Sequence, residues 1–123
     1  MSSDDVASLL PFDLGDEFYR AINPIFFDKG KILRAAFQNT TGTDRMSVDW
    51  TRFSTPEIVL GNFPRWGGGA AVALITARLC IEECSQEIEY TPETENPAHC
   101  DVVGEKTPAI RKRFMEGCTL VTP

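Results

Sequence analysis

Long hydrophobic runs are missing from this chain of 123 residues. No segment reaches the roughly 20 consecutive apolar residues that a membrane-spanning helix needs. The first residues, from Met1 to Val6, are acidic, which is the wrong sign for a signal peptide or a transit peptide. We therefore expect a cytoplasmic protein with no membrane partner.

Histidine and cysteine are scarce, with one histidine and four cysteines in the whole chain. Cys80, Cys84, His99 and Cys100 are the nearest approach to a metal-binding set, but their spacing matches no common zinc motif. His99 and Cys100 are neighbours, and neighbours on a strand point to opposite sides. We expect reduced, mostly buried thiols, including that of Cys118, with no bound metal and no cofactor.

Basic side chains are also in the minority, 12 against 18 acidic ones, which gives a net charge of -6. The charge is uneven, because residues 53–105 are strongly acidic and residues 106–123 are basic. A nucleic-acid binder needs a dominant basic surface, so nucleic acid is a less favoured partner that would be contacted through Arg111 and Arg113. An acidic surface suits a protein partner instead, and blocks of opposite charge also allow a homodimer.

Ordinary globular composition, with 42% apolar residues, indicates one domain over residues 16–123 after an N-terminal arm at 1–15. Met46, Val48 and Trp50 alternate with polar residues, which is the clearest strand pattern in the chain. Other predicted strands lie at 18–22, 32–37, 87–90 and 100–103, with an edge strand at 118–121.

Three helices are predicted. Ser54 as a cap, Pro56 and Glu57 indicate a short helix from Pro56 to about Leu60. The apolar segment 70–84 has helical spacing and predicts a buried central helix, and residues 109–117 predict a basic C-terminal helix. The resulting fold class is α+β, with a mixed or antiparallel sheet of four to six strands.

No segment matches a motif that names a reaction, so the sequence favours a small non-catalytic protein that docks on a macromolecular partner. Loops carry recognition more often than regular elements do, and aromatic and arginine side chains are common at interface centres. The predicted binding residues are Trp50, Phe63, Arg65 and Trp66 around a glycine-rich connection, and Asn96 and His99 on a second surface.

Three short patches suggest one alternative. Arg20 lies on an early predicted strand, Phe53-Ser54-Thr55 lies in the middle of the chain, and Glu87-x-Glu89 lies on a later strand. This order is similar to the Arg, aromatic-Ser-Thr-Ser and Glu-x-Glu pattern of one ADP-ribosyltransferase class, although Pro56 stands where the second serine belongs. The resemblance covers only these patches. It implies an NAD-using transferase in which Arg20 and Ser54 hold the dinucleotide and Glu89 stabilises the developing cation.

Overall fold

The computed structural model describes residues 12–122, and they form one domain around a six-stranded antiparallel sheet. The strands of this sheet are β1 (Glu17–Ile22), β4 (Arg45–Trp50), β5 (Ala71–Thr76), β6 (Glu87–Tyr90), β7 (His99–Val103) and β8 (Thr119–Thr122). They lie side by side in the order β6-β7-β4-β1-β5-β8. A two-stranded hairpin of β2 (Phe27–Asp28) and β3 (Lys31–Ile32) forms the second sheet. The α+β class and the antiparallel sheet agree with the expectation from the sequence.

One face of the large sheet carries the main core. Met46, Val48 and Trp50 alternate along β4 and are all buried there. The C-terminal helix α2 (Pro108–Gly117) covers this face, together with a 3-10 turn at Arg34–Ala36. Phe114 of α2 stacks on Phe37 with ring centroids 5.6 Å apart, which fixes the helix to the loop after β3.

The opposite face is only partly covered. The short helix α1 (Pro56–Gly61) packs on β1 and β5. Val59 of α1 and Val72 of β5 are buried but lie outside the main core cluster. Because side chains alternate across a strand, Val72 points away from the core face, so α1 lies on the other side of the sheet from α2. The rest of that face, over β4 and β7, is polar and carries Ser47, Asp49, His99 and Asp101, of which only Ser47 is exposed.

The predicted central helix at 70–84 is wrong. Residues 71–76 form β5, a central strand between β1 and β8, and the chain becomes helical only afterwards, with a π-helical turn at Leu79–Glu83. Ala71, Ala73 and Ile75 are buried on the core face and Val72 on the other, so this strand is apolar on both sides. A strand buried on both faces has no alternation, and its apolar run resembles a buried helix in sequence.

Two local expectations also need correction. The predicted strand at 32–37 is reduced to Lys31–Ile32, because the chain turns at Arg34–Ala36 to bury Phe37 under α2. The cap of α1 is Thr55 and not Ser54, since the Thr55 hydroxyl accepts a hydrogen bond from the amide of Ile58 at 3.2 Å.

The predicted N-terminal arm falls mostly outside the described residues. Of its length, residues 12–15 are described, and Phe12 is buried against Phe18 and Trp50 with ring centroids 5.2 Å and 4.7 Å away. Within residues 12–122 no helix has the length and the apolar character to cross a bilayer.

All four thiols are unpaired, and three of them are fully buried. Burial raises the pKa of Cys80 and Cys100 to about 12 and that of Cys84 to about 11. Since the thiolate is the reactive form, we expect a disulfide reagent such as DTNB at about pH 8 to modify at most the half-buried Cys118 in the native protein. All four thiols should react in guanidinium chloride, and rapid native reaction of three or four would contradict the packing described here.

Candidate functional site

The large sheet parts between β1 and β4. These strands pair at only two positions, Phe18 opposite Trp50 and Tyr19 opposite Asp49, whereas β1 pairs with β5 at six. Beyond the two pairs the strands separate, and the gap opens a cleft of about 420 Å³ on the polar face. A volume of this size falls within the range of small-ligand sites.

Arg20 holds the two strands where they part. It alternates with Phe18 and Ile22 and so leaves β1 on the core side. Its Nη1 donates to the carbonyl of Ser47 at 2.8 Å, and its Nε and Nη2 donate to the carbonyl of Ala36 at 3.2 Å and 3.0 Å. Burial lowers the pKa of Arg20 to about 10, which still leaves the guanidinium charged at neutral pH. Among residues 12–122 no carboxylate forms an ion pair with it.

A tight turn between β6 and β7 builds one wall of the cleft. Glu93 and Asn96 exchange two backbone hydrogen bonds of 3.0 Å, and the turn places the Asn96 amide over β4. Asn96 Nδ2 donates to Asp49 Oδ1 at 2.8 Å. Burial raises the pKa of Asp49, which is only 7% exposed, while the hydrogen bond from Asn96 favours the charged carboxylate and opposes this shift.

His99 begins β7 and reaches the same cleft. Its Nδ1 lies 2.8 Å from the Thr91 hydroxyl and 3.0 Å from the Thr91 carbonyl, and its Nε2 lies 3.2 Å from Ser47 Oγ. Asp101 Oδ1 is 3.9 Å from Nε2. The second oxygen of Asp101 accepts from Arg45 at 3.1 Å, and Arg45 also pairs with Glu89 at 2.9 Å.

The cleft wall is acidic, with one aromatic side. Glu93 and Glu95 are exposed at its rim, and Phe63 lies on the side next to α1. Phe63 stacks on Trp66 with ring centroids 4.1 Å apart and an interplanar angle of 13°, and 39% of Phe63 remains exposed. The arrangement offers negative charge and one flat apolar surface to a ligand.

The structure brings three of the predicted binding residues together, since Phe63, Asn96 and His99 all line the cleft. Trp66 joins them through its stack with Phe63, and Arg65 is exposed beside it. Trp50 does not belong to this surface. It is 4% exposed and packs in the core, so its side chain is not available to a partner.

Arg111 and Arg113 lie on α2, on the far side of the sheet from the cleft. Arg113 Nη1 donates to the carbonyl of Glu83 at 3.1 Å, which ties α2 to the π-helical turn. Lys112 is exposed between them. A partner held by this basic helix would therefore leave the cleft uncovered.

The three residues of the transferase pattern do not meet in the cleft. Arg20 lines it, but Ser54 and Glu89 do not. Glu89 lies on β6, three strands away from Arg20 in the sheet order, and its carboxylate is paired with Arg45. Strands lie about 4.8 Å apart, so the two residues belong to separate parts of the sheet.

No cluster of metal ligands stands out in the described part of the chain, where no three His, Cys, Asp or Glu residues come together as a metal site requires. Cys100 and His99 point to opposite faces of β7, as expected for neighbours on a strand: Cys100 is buried in the core and His99 lines the cleft.

No family model, curated protein or solved structure matches this chain.

The predicted binding residues do not include several that line the cleft, namely Tyr19, Ser47, Asp49, Glu93 and Glu95. Ser47 and Asp49 alternate with the buried residues of β4, so the same pattern that predicts the strand also places them on its polar face. Tyr19 alternates with Phe18 on β1 in the same way. No strand alternation points to Glu93 and Glu95, because they lie in a turn. The pairing of β7 with β4 is what brings this turn to the cleft.

Proposed function

We propose that the protein is a small binding protein that docks on a basic segment of a protein partner through the cleft between β1 and β4. One observation carries the proposal: Glu93, Glu95 and the buried Asp49 line one cavity together with the exposed ring of Phe63. A lysine or arginine side chain entering the cleft would meet the carboxylates. Its aliphatic stem, or a neighbouring apolar side chain, would pack on Phe63.

Charge supports the choice of partner. The chain carries a net charge of -6, and the turn with Glu93 and Glu95 belongs to its most acidic segment. Complementary charge raises the rate of encounter and selects among partners, while an aromatic anchor supplies much of the affinity. We also propose a cytoplasmic location, because the four thiols are unpaired and thiols stay reduced in the cytosol.

A peptide array tests this function directly. Ten-residue peptides of net charge from about -4 to +4 are probed with labelled protein, and binding of the selected peptides is then measured in solution at low and high salt. We expect selective retention of basic peptides, with affinity that falls as salt rises. Retention that does not depend on peptide charge would contradict the proposal.

Two variants locate the contact. Phe63→Ala should weaken binding of the selected basic peptide by about tenfold or more, because an aromatic anchor is lost. The double change Glu93→Gln and Glu95→Gln should weaken binding by several fold and flatten its salt dependence. Lys112→Ala on the far face is the matched control and should bind as the unchanged protein does.

Single-residue variants also distinguish docking from the two alternatives, a nucleic-acid binder and an NAD-using transferase. A nucleic-acid binder would retain DNA or RNA in a salt-dependent way and would lose it on Arg113→Ala rather than on Phe63→Ala. An NAD-using transferase would turn over NAD and lose that turnover on Glu89→Gln with its fold intact. Either result would replace the docking proposal.

A further inference from the structure

The cleft also holds a serine hydroxyl and an imidazole in hydrogen-bond contact. Ser47 Oγ lies 3.2 Å from His99 Nε2. The two residues come from adjacent strands, since β4 and β7 pair at five positions that include Asp49 opposite His99. Strand pairing of this extent holds the two side chains more rigidly than a loop would.

Hydrogen bonds at the other ring nitrogen set the tautomer of His99. The Thr91 carbonyl, 3.0 Å from Nδ1, can only accept a hydrogen bond, and the Thr91 hydroxyl at 2.8 Å can accept as well, so these contacts favour the tautomer with the proton on Nδ1. In that tautomer Nε2 presents its lone pair to the Ser47 hydroxyl. A nucleophile in contact with a base, and a base oriented by a third group, together form the basic arrangement of nucleophilic catalysis.

The surroundings suit such a role. Ser47 is exposed and lines the cleft, so a ligand can reach its hydroxyl. The carboxylate of Asp101, 3.9 Å from Nε2, would stabilise the imidazolium that forms when His99 takes a proton. Tyr19 and Asn62, which line the same cleft, carry uncharged hydrogen-bond donors.

We propose that Ser47 is a nucleophile, activated by His99 as general base, that accepts the acyl group of a cationic ester bound in the acidic cleft. Ser47 Oγ forms a bond to the carbonyl carbon and its proton passes to His99 Nε2. The ester C–O bond then breaks, and the leaving alkoxide takes the proton from Nε2. Water subsequently attacks the acyl-serine with His99 again as the base, which releases a carboxylic acid and restores the hydroxyl.

A fluorophosphonate probe tests the nucleophile. Attack by an activated serine forms an O–P bond and releases fluoride, so the protein gains the mass of one phosphonyl group. We expect a single adduct that peptide mapping places on Ser47, none in Ser47→Ala, and labelling at least about 100-fold slower in His99→Gln. Ser54→Ala is the matched control, because its hydroxyl contacts the Thr55 carbonyl and no imidazole, and it should label at the normal rate. No adduct, or equal labelling in His99→Gln with its fold intact, would overturn the proposal.

A competition experiment tests the substrate class. An arginine ethyl ester should slow fluorophosphonate labelling, whereas a succinate ester of equal size should not. Equal protection by both, or by neither, would contradict the assignment of a cationic substrate. The cationic substrate rests on the docking proposal, but the two fail separately: the adduct on Ser47 is measured without any peptide, and peptide retention is measured without the probe.

Discussion

Trp50→Ala is expected to lower the free energy of unfolding by about 3–5 kcal/mol. Trp50 is 4% exposed and contacts four aromatic rings, those of Phe12, Phe18, Phe53 and Tyr90, at centroid distances from 4.7 Å to 6.3 Å. Truncation would leave a cavity where these rings meet at the end of β4. Denaturation by urea, followed by circular dichroism, measures the loss.

Phe63→Ala is the matched comparison, because Phe63 is also aromatic but is 39% exposed beside the cleft. It packs chiefly on Trp66, so we expect its replacement to change the free energy of unfolding by no more than about 1 kcal/mol. Trp50→Ala should therefore lower stability, whereas Phe63→Ala should weaken peptide binding and leave stability nearly unchanged. A Trp50→Ala protein as stable as the unchanged one would contradict the packing of the core.

Gly104→Ala is expected to lower the free energy of unfolding by about 2–4 kcal/mol. Gly104 follows β7 with a φ of +148°, a conformation that side chains disfavour, and an added Cβ would lie 2.5 Å from Gln86 Oε1. Gln86 is held in place, because its Nε2 donates to the carbonyls of Cys84 and Glu105 at 2.9 Å and 3.0 Å. The steric strain from the added Cβ would lie directly after β7, the strand that begins at His99.

The control for this change is Gly61→Ala. Gly61 is the last residue of α1, and an added Cβ there would meet nothing within 4 Å. Since alanine favours helices over glycine by about 1 kcal/mol, we expect Gly61→Ala to be neutral or stabilising. Thermal unfolding compares the two variants, and equal effects would show that the contact with Gln86 does not constrain Gly104.

The strand β4 shows what local pattern can predict. Alternation at Met46, Val48 and Trp50 gives the strand and places these three side chains on one face. That pattern also indicates that Trp50 is buried, whereas its residue type and its position near a loop predict a binding role. Periodicity is the better guide here, because a residue on the apolar face of a central strand has the core on that side.

Other features depend on contacts that no local pattern contains. The strand at 71–76 is buried on both faces because Ala71, Ala73 and Ile75 pack in the core on one face and α1 packs on the other. The pairing of Ser47 with His99 joins residues 52 positions apart, and it depends on the register of β4 against β7. The sequence therefore indicates His99 and Asn96 as notable residues without showing the cleft that they share.

The most direct test of the cleft as the binding surface is an ¹⁵N–¹H correlation spectrum recorded while the tightest basic peptide from the array is added. We expect the largest shifts at the backbone amides of Ser47, Asp49, Phe63, Asn96 and His99, with α2 unchanged. Shifts confined to α2, or no shifts at saturating peptide, would contradict the proposal that this cleft is where the protein holds its partner.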